Sequence, residues 1–175
     1  MRIGGPRTVA RHTGVMAVVV RRLLGIGKLP EDLRAQVEAE GLLYLADYVP
    51  VTRRFSGIIP GVRLPHSVAY YTGSLVLTRQ RVLATLSMLP KLAGATVDVP
   101  WDAPQTGIAR AEISSDGLAV YVDVARVDDK YSGELSLLYK TAIPADVLSG
   151  LPVCSLTFDM APDCIVRAVG VTYSP

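Results

Sequence analysis

The chain has 175 residues, half of them hydrophobic, and its 18 basic and 16 acidic side chains give a formal net charge of +2. This length and apolar content predict one folded domain and exclude a disordered chain. Charged residues make up 19% of the sequence, below the usual quarter. We therefore expect a partner or a membrane to cover part of the surface.

The charges are sorted into blocks. Residues 1–30 and residues 48–97 each carry six cations and no acid, whereas residues 31–47 have a net charge of −4 and residues 98–175 a net charge of −6. A basic block can attract an anionic partner. Strands are also poor in Asp and Glu, so the gap at 48–97 has a structural explanation as well as a functional one.

Residues 1–29 are predicted to form a basic leader. The apolar run at 15–20 is closed by Arg21 and Arg22. It is too short for a transmembrane helix, and it lacks the longer apolar region and cleavage site of a signal peptide. Three interpretations stay open: a flexible extension, a short element packed on the body, or a basic anchor at a membrane interface.

A single β-rich domain is predicted over residues 30–175, and it opens with a helix at 30–40. Pro30 suits the first helical position, and the acids that follow it complement the positive end of the helix dipole. Leu33 and Val37 are four residues apart and share one face. Gly41 suits the left-handed position that ends a helix.

Strands follow the helix, with alternating apolar residues. We predict them at 42–49, 67–78, 82–86, 96–99, 108–114, 118–124 and 135–139, with a hairpin at Asp116-Gly117. The prolines and glycines of residues 50–66 predict a loop or a broken edge strand. Residues 144–148 favour one helical turn, and the β-branched tail at 153–173 favours one or two further strands. The sum is a mainly β fold, a small antiparallel barrel or orthogonal sandwich with one N-terminal helix and short C-terminal elements.

No residue pattern indicates catalysis, a metal or a cofactor. His12 and His66 have no metal-ligand spacing with Cys154 or Cys164, and the two cysteines are expected to be buried free thiols. Turn formation explains Asp98, Asp102, Asp128 and Asp129, with acid–base or cation-binding chemistry as the weaker alternative. Trp101 is expected to pack on the core. An aromatic content of 6% argues against nucleic-acid binding.

The segment 73–84, which reads GSLVLTRQRVLA, resembles a hairpin of bacterial pleckstrin-homology-like and GRAM-like domains. These often show glycine, alternating apolar residues, threonine, two loop residues, then arginine and an apolar run. The resemblance implies, over roughly 41–140, a strongly bent antiparallel sheet closed at one end by a helix. It also implies that the loop after the first strand, here 50–66, meets anionic headgroups. Residues 144–150 are too short for the long closing helix, so helix 30–40 is the alternative cover.

Three functions follow as hypotheses. The first is a non-catalytic binding module, cytoplasmic or peripheral at the membrane, whose loop 50–66 contacts an anionic membrane surface or a protein partner. Its candidate anion-binding residues are Arg53, Arg54, Arg63, Arg21 and Arg22. The second is an accessory or structural subunit of a larger assembly, joined through apolar edge strands. The third is a small β-barrel enzyme such as a flavin-binding split barrel.

Overall fold

The computed structural model describes residues 25–87 and 94–170 of the chain. The strands are β1 (Leu42–Ile59), β2 (Val62–Thr78), β3 (Arg81–Ser87), β4 (Gly94–Pro100), β5 (Ala109–Ser114), β6 (Gly117–Asp123), β7 (Ser132–Lys140) and β8 (Ser155–Phe158). The helices are α1 (Glu31–Ala39), α2 (Ala145–Ser149) and α3 (Pro162–Val169), with a 3-10 turn at Val124–Arg126.

The eight strands form one antiparallel sheet in the order β4-β3-β2-β1-β7-β6-β5-β8, which curls into a nearly closed barrel. Alternate residues of each strand point inward and form the core, as Leu135, Leu137 and Tyr139 do on β7. The mainly β fold predicted from the period of two is confirmed, as is the N-terminal helix. No helix among the described residues is long and apolar enough to cross a membrane.

Helix α1 lies on the outer face of the barrel. Leu29 and Val37 pack there against Val76 of β2 and Leu83 of β3. Arg81 holds this region together, because its guanidinium bonds Glu40 (2.7 Å) just after the helix and Asp98 (2.8 Å) on β4. Residues 25–29, the described end of the predicted leader, also lie against the sheet, where Tyr48 N–H donates to the Gly27 carbonyl (2.8 Å).

The predicted loop at 50–66 is wrong, because β1 and β2 form one long hairpin through this region. Only Pro60 and Gly61 turn the chain, and Gly61 takes the left-handed φ of +79° that glycine tolerates best. Pro50 precedes the first β1 residue that pairs with β7, and Pro65 lies at a register shift on β2. These are places where a strand tolerates a missing N–H, so the prolines did not break the strands.

The tail contains one strand, β8, and then a helix where a second strand was an alternative. Pro162 opens α3 and Gly170 ends it with φ +88°, the caps typical of a helix. Ile165, Val166, Ala168 and Val169 are buried on one side. Their β-branched character had favoured a strand, but burial against the barrel outweighs that preference. The helix also reaches β4, where the Cys164 thiol contacts the Ala95 carbonyl (3.7 Å).

Candidate ligand-binding groove

The predicted arginine cluster divides between the two faces of the β1–β2 hairpin. Side chains of successive strand residues point to opposite faces, so Arg53 turns inward and Arg54 outward. Arg63 is exposed beside the turn, opposite Ile58, on the same face as Arg54. Ile58 lies four positions after Arg54 on β1, about 13 Å away, so Arg63 and Arg54 are separated by about this distance along the hairpin. Arg21 and Arg22 lie outside the described residues.

Arg53 is buried, with 4% of its surface exposed. Its Nη1 donates to Ser67 Oγ (2.8 Å), and its Nε has no hydrogen-bond partner among the described residues. Among the ion pairs of the described chain, none involves Arg53. It is therefore inaccessible to an anionic surface, and its prediction as a contact residue does not fit this geometry.

Arg54, by contrast, lines a broad groove of about 840 Å³ on the outer face of the sheet. The strand register builds the floor of this groove. Arg54 pairs with Val68 on β2 and, on its other side, with Ser136 on β7. Ser136 pairs in turn with Tyr121 on β6. Arg110 on β5 pairs with Tyr121 on one side and with Thr157 of β8 on the other. One row of side chains thus crosses six strands: Val68, Arg54, Ser136, Tyr121, Arg110 and Thr157.

Acids border this row. Glu134 and Asp123, which pair with each other on β7 and β6, lie two residues along from Ser136 and Tyr121. Glu112 forms an ion pair with Arg110, and Arg126 donates to the Gly107 carbonyl (3.0 Å). The three arginines and three carboxylates of the lining balance in formal charge. Residues 48–97 contain no Asp or Glu, but the fold places carboxylates from other strands in the groove that Arg54 lines.

Within the described chain, Arg54 has no ion pair or side-chain hydrogen bond. Tyr121 is 45% exposed in the centre of the groove, and His66 and Val68 form its rim on β2. Arginine and tyrosine are among the residue types most enriched in protein-binding hot spots.

Three lining residues of the groove, Arg110, Tyr121 and Arg126, were not among the residues predicted from the sequence. The signal was present in the period of two, since the same alternation that placed Val120 and Val122 inward places Tyr121 and Asp123 outward. What the alternation could not give was the strand order that brings β5, β6 and β7 beside Arg54.

A second hollow of about 540 Å³ lies between the end of α1 and Trp101. Trp101 is half-buried and donates from Nε1 to the Thr78 carbonyl (2.9 Å), in line with its predicted packing role. Of the aspartates, Asp98 bonds Arg81, and Asp128 accepts from the Lys130 N–H (3.0 Å) inside a turn. Of the charged residues that line this hollow, Glu40 and Arg81 pair with each other, whereas Arg79 and Asp102 form no ion pair within the described chain.

Neither metal binding nor a disulfide is seen in the described residues. They contain no group of three or more His, Cys, Asp or Glu side chains placed to hold a metal ion. Cys154 and Cys164 are both free. Cys154 is exposed rather than buried as predicted, whereas Cys164 is half-buried and desolvation raises the pKa of its thiol.

Comparison with known proteins found no match to this chain among family models, curated proteins or solved structures. The function of this protein is therefore inferred from the residues and geometry of the groove.

Proposed function

We propose that this protein is a non-catalytic binding module whose outer-face groove takes a segment of a protein partner. The observation that carries the proposal is Arg54, which is exposed in the groove with no ion pair or side-chain hydrogen bond in the described chain and shares that groove with the exposed Tyr121, two strands away. Arginine and tyrosine supply much of the binding energy at protein interfaces. The bordering carboxylates offer partners for cations, so the groove suits a segment that carries both charges.

A protein segment fits this surface better than an anionic membrane does. Basic residues contribute about 1 kcal/mol each near an anionic bilayer, and several are needed. The hairpin turns Arg54 and Arg63 outward and Arg53 inward, and the groove beside Arg54 has no net formal charge. The resemblance to pleckstrin-homology-like domains supports a binding module without deciding the ligand, since that fold hosts many functions.

The experiment is selection of random peptides displayed on phage against the purified protein. We expect enriched peptides whose affinity falls about tenfold or more on Arg54→Glu or Tyr121→Ala, because each change removes more than about 1.4 kcal/mol of contact energy. Lys140→Glu is the matched control: Lys140 is exposed on β7 but does not line the groove, so binding should not change.

A parallel measurement addresses the membrane hypothesis. Wild-type protein is sedimented with phosphatidylserine vesicles, and we expect it to remain in the supernatant. Sedimentation that Arg54→Glu and Arg63→Glu abolish, together with no peptide enrichment, would replace the proposed function with membrane binding.

A further inference from the structure

The β1–β2 hairpin has an edge on β2 that no further strand of the described residues covers. Among the described residues, strand β3 pairs with residues 72–77 of β2, whereas β2 itself runs back to Val62. Over residues 62–71 the only described strand beside β2 is β1. A register shift at Pro65 interrupts the pairing of β2 with β1 within residues 62–71. The regular part of the uncovered edge is therefore residues 66–71, which form the free edge.

The backbone groups of this edge point outward. The Ser74 N–H is directed towards β3, where it donates to Thr85 Oγ1 (3.1 Å). N–H and C=O groups of alternate residues face the same edge of a strand. Those of His66, Val68 and Tyr70 therefore face the free edge, ready to pair with another strand.

The side chains of the same residues are exposed. Val68 and Tyr70 have 53% and 71% of their surface accessible, the highest values among the large hydrophobic residues of the described chain. Both lie on the outer face together with His66, and β2 contains no carboxylate.

We propose that a second copy of this chain pairs its β2 with this edge, antiparallel and about a two-fold axis through Val68. A two-fold interface places the same strand on both sides, and directly opposite residues must share a face. An axis at Val68 pairs residues 66–70 of one copy with residues 66–70 of the other. It sets Val68 against Val68 of the second copy and His66 against Tyr70.

This register is self-complementary. The two opposed pairs are apolar and aromatic, which stabilise adjacent strands, and no charged residue lies opposite a like charge. Outward backbone groups at His66, Val68 and Tyr70 give about six inter-strand hydrogen bonds. The two grooves then lie on the same face of one continuous sheet, which would let a partner with two binding segments gain avidity.

Single cysteines test the register, in a Cys154→Ser and Cys164→Ala background under mild oxidation. Opposed residues of a hydrogen-bonded pair have Cα atoms about 5.5 Å apart, which a disulfide can span. We expect Val68→Cys to give a disulfide-linked dimer by itself. His66→Cys and Tyr70→Cys should each give no disulfide-linked dimer alone and should give a mixed disulfide-linked dimer when the two variants are combined. Lys140→Cys, exposed on another strand, is the control for random collision.

The unmodified chain gives an independent measurement. Light scattering should show a mass near twice 18.7 kDa, and Val68→Asp should raise the dimer dissociation constant at least tenfold by placing two carboxylates together on the axis. A monomer at the highest soluble concentration, cross-linking of Val68→Cys no greater than that of Lys140→Cys, or a dimer that Val68→Asp leaves unchanged would each overturn the proposal.

Discussion

At the scale of single residues, Arg53 and Arg54 are neighbours in sequence but point to opposite faces of strand β1. Arg54 lines the groove, whereas Arg53 is a buried residue with 4% of its surface exposed, and within the described chain its side chain makes one hydrogen bond, to Ser67. Burying a charge without a counter-charge costs several kcal/mol unless hydrogen bonds compensate. Because Arg53 Nε has no hydrogen-bond partner in the part of the chain that the structure describes, this side chain should weaken the fold rather than stabilise it.

This reasoning predicts that the double change Arg53→Met and Ser67→Ala stabilises the protein. Methionine keeps the long apolar stem, and alanine removes the hydroxyl that would lose its donor. We expect the free energy of unfolding in urea to rise by about 1–3 kcal/mol. The matched change Arg54→Met, on the exposed face, should alter it by less than about 0.5 kcal/mol. A loss of stability in the double variant would show that Arg53 supports the fold.

At the scale of elements, the β1–β2 hairpin positions the candidate site. It carries Arg54 on one strand and the groove rim and free edge on the other, and only two residues turn the chain. Gly61 forms part of this turn, with φ +79° and open space where a Cβ would lie. Any cost of a side chain at Gly61 is therefore conformational rather than steric.

We predict that Gly61→Ala lowers the free energy of unfolding by about 1 kcal/mol and that Gly61→Asn lowers it by less, because asparagine tolerates the left-handed region better. Gly150→Ala is the control: Gly150 ends α2 with φ −88° and nothing closer than 3.5 Å to an added Cβ. Thermal denaturation monitored by circular dichroism measures all three variants. Equal effects of the two alanine substitutions would contradict the left-handed turn.

At the scale of the whole molecule, a hydrogen bond across the barrel interior joins strands that are not neighbours. Thr96 on β4 bonds Tyr139 on β7 (2.6 Å) and also donates to the Ala84 carbonyl (3.1 Å). Since the threonine has one proton to give, the tyrosine must be the donor in their bond. Tyr139 is fully buried, and desolvation raises its pKa above the ordinary value of 10.0.

Stability should therefore fall at alkaline pH. Below pH 10 both folded and unfolded tyrosine are protonated, so the favourable state is fully present. Above pH 10 the unfolded chain releases this proton while the folded chain keeps it, and the free energy of unfolding decreases as pH rises. Urea titrations at pH 8 and pH 11 should show a drop that is smaller in Tyr139→Phe than in the wild type. Tyr121→Phe, at an exposed tyrosine, should leave the drop unchanged.

The sequence by itself determined the β class, the helix after Pro30 and most of the strands, because these depend on local periodicity and on capping and turn residues. The prolines at 50, 60 and 65 were ambiguous, since the same residue that breaks a central strand is accepted at a turn, a register shift or an edge. Only the tertiary structure decided that 50–66 is a hairpin and that the β-branched tail ends in a helix.

It also decided the candidate site, because strand order brings Arg110, Tyr121, Asp123 and Glu134 to Arg54 from more than fifty residues away along the chain. Charge along a sequence is a local property, whereas the charge of a surface is set by which strands the fold makes neighbours.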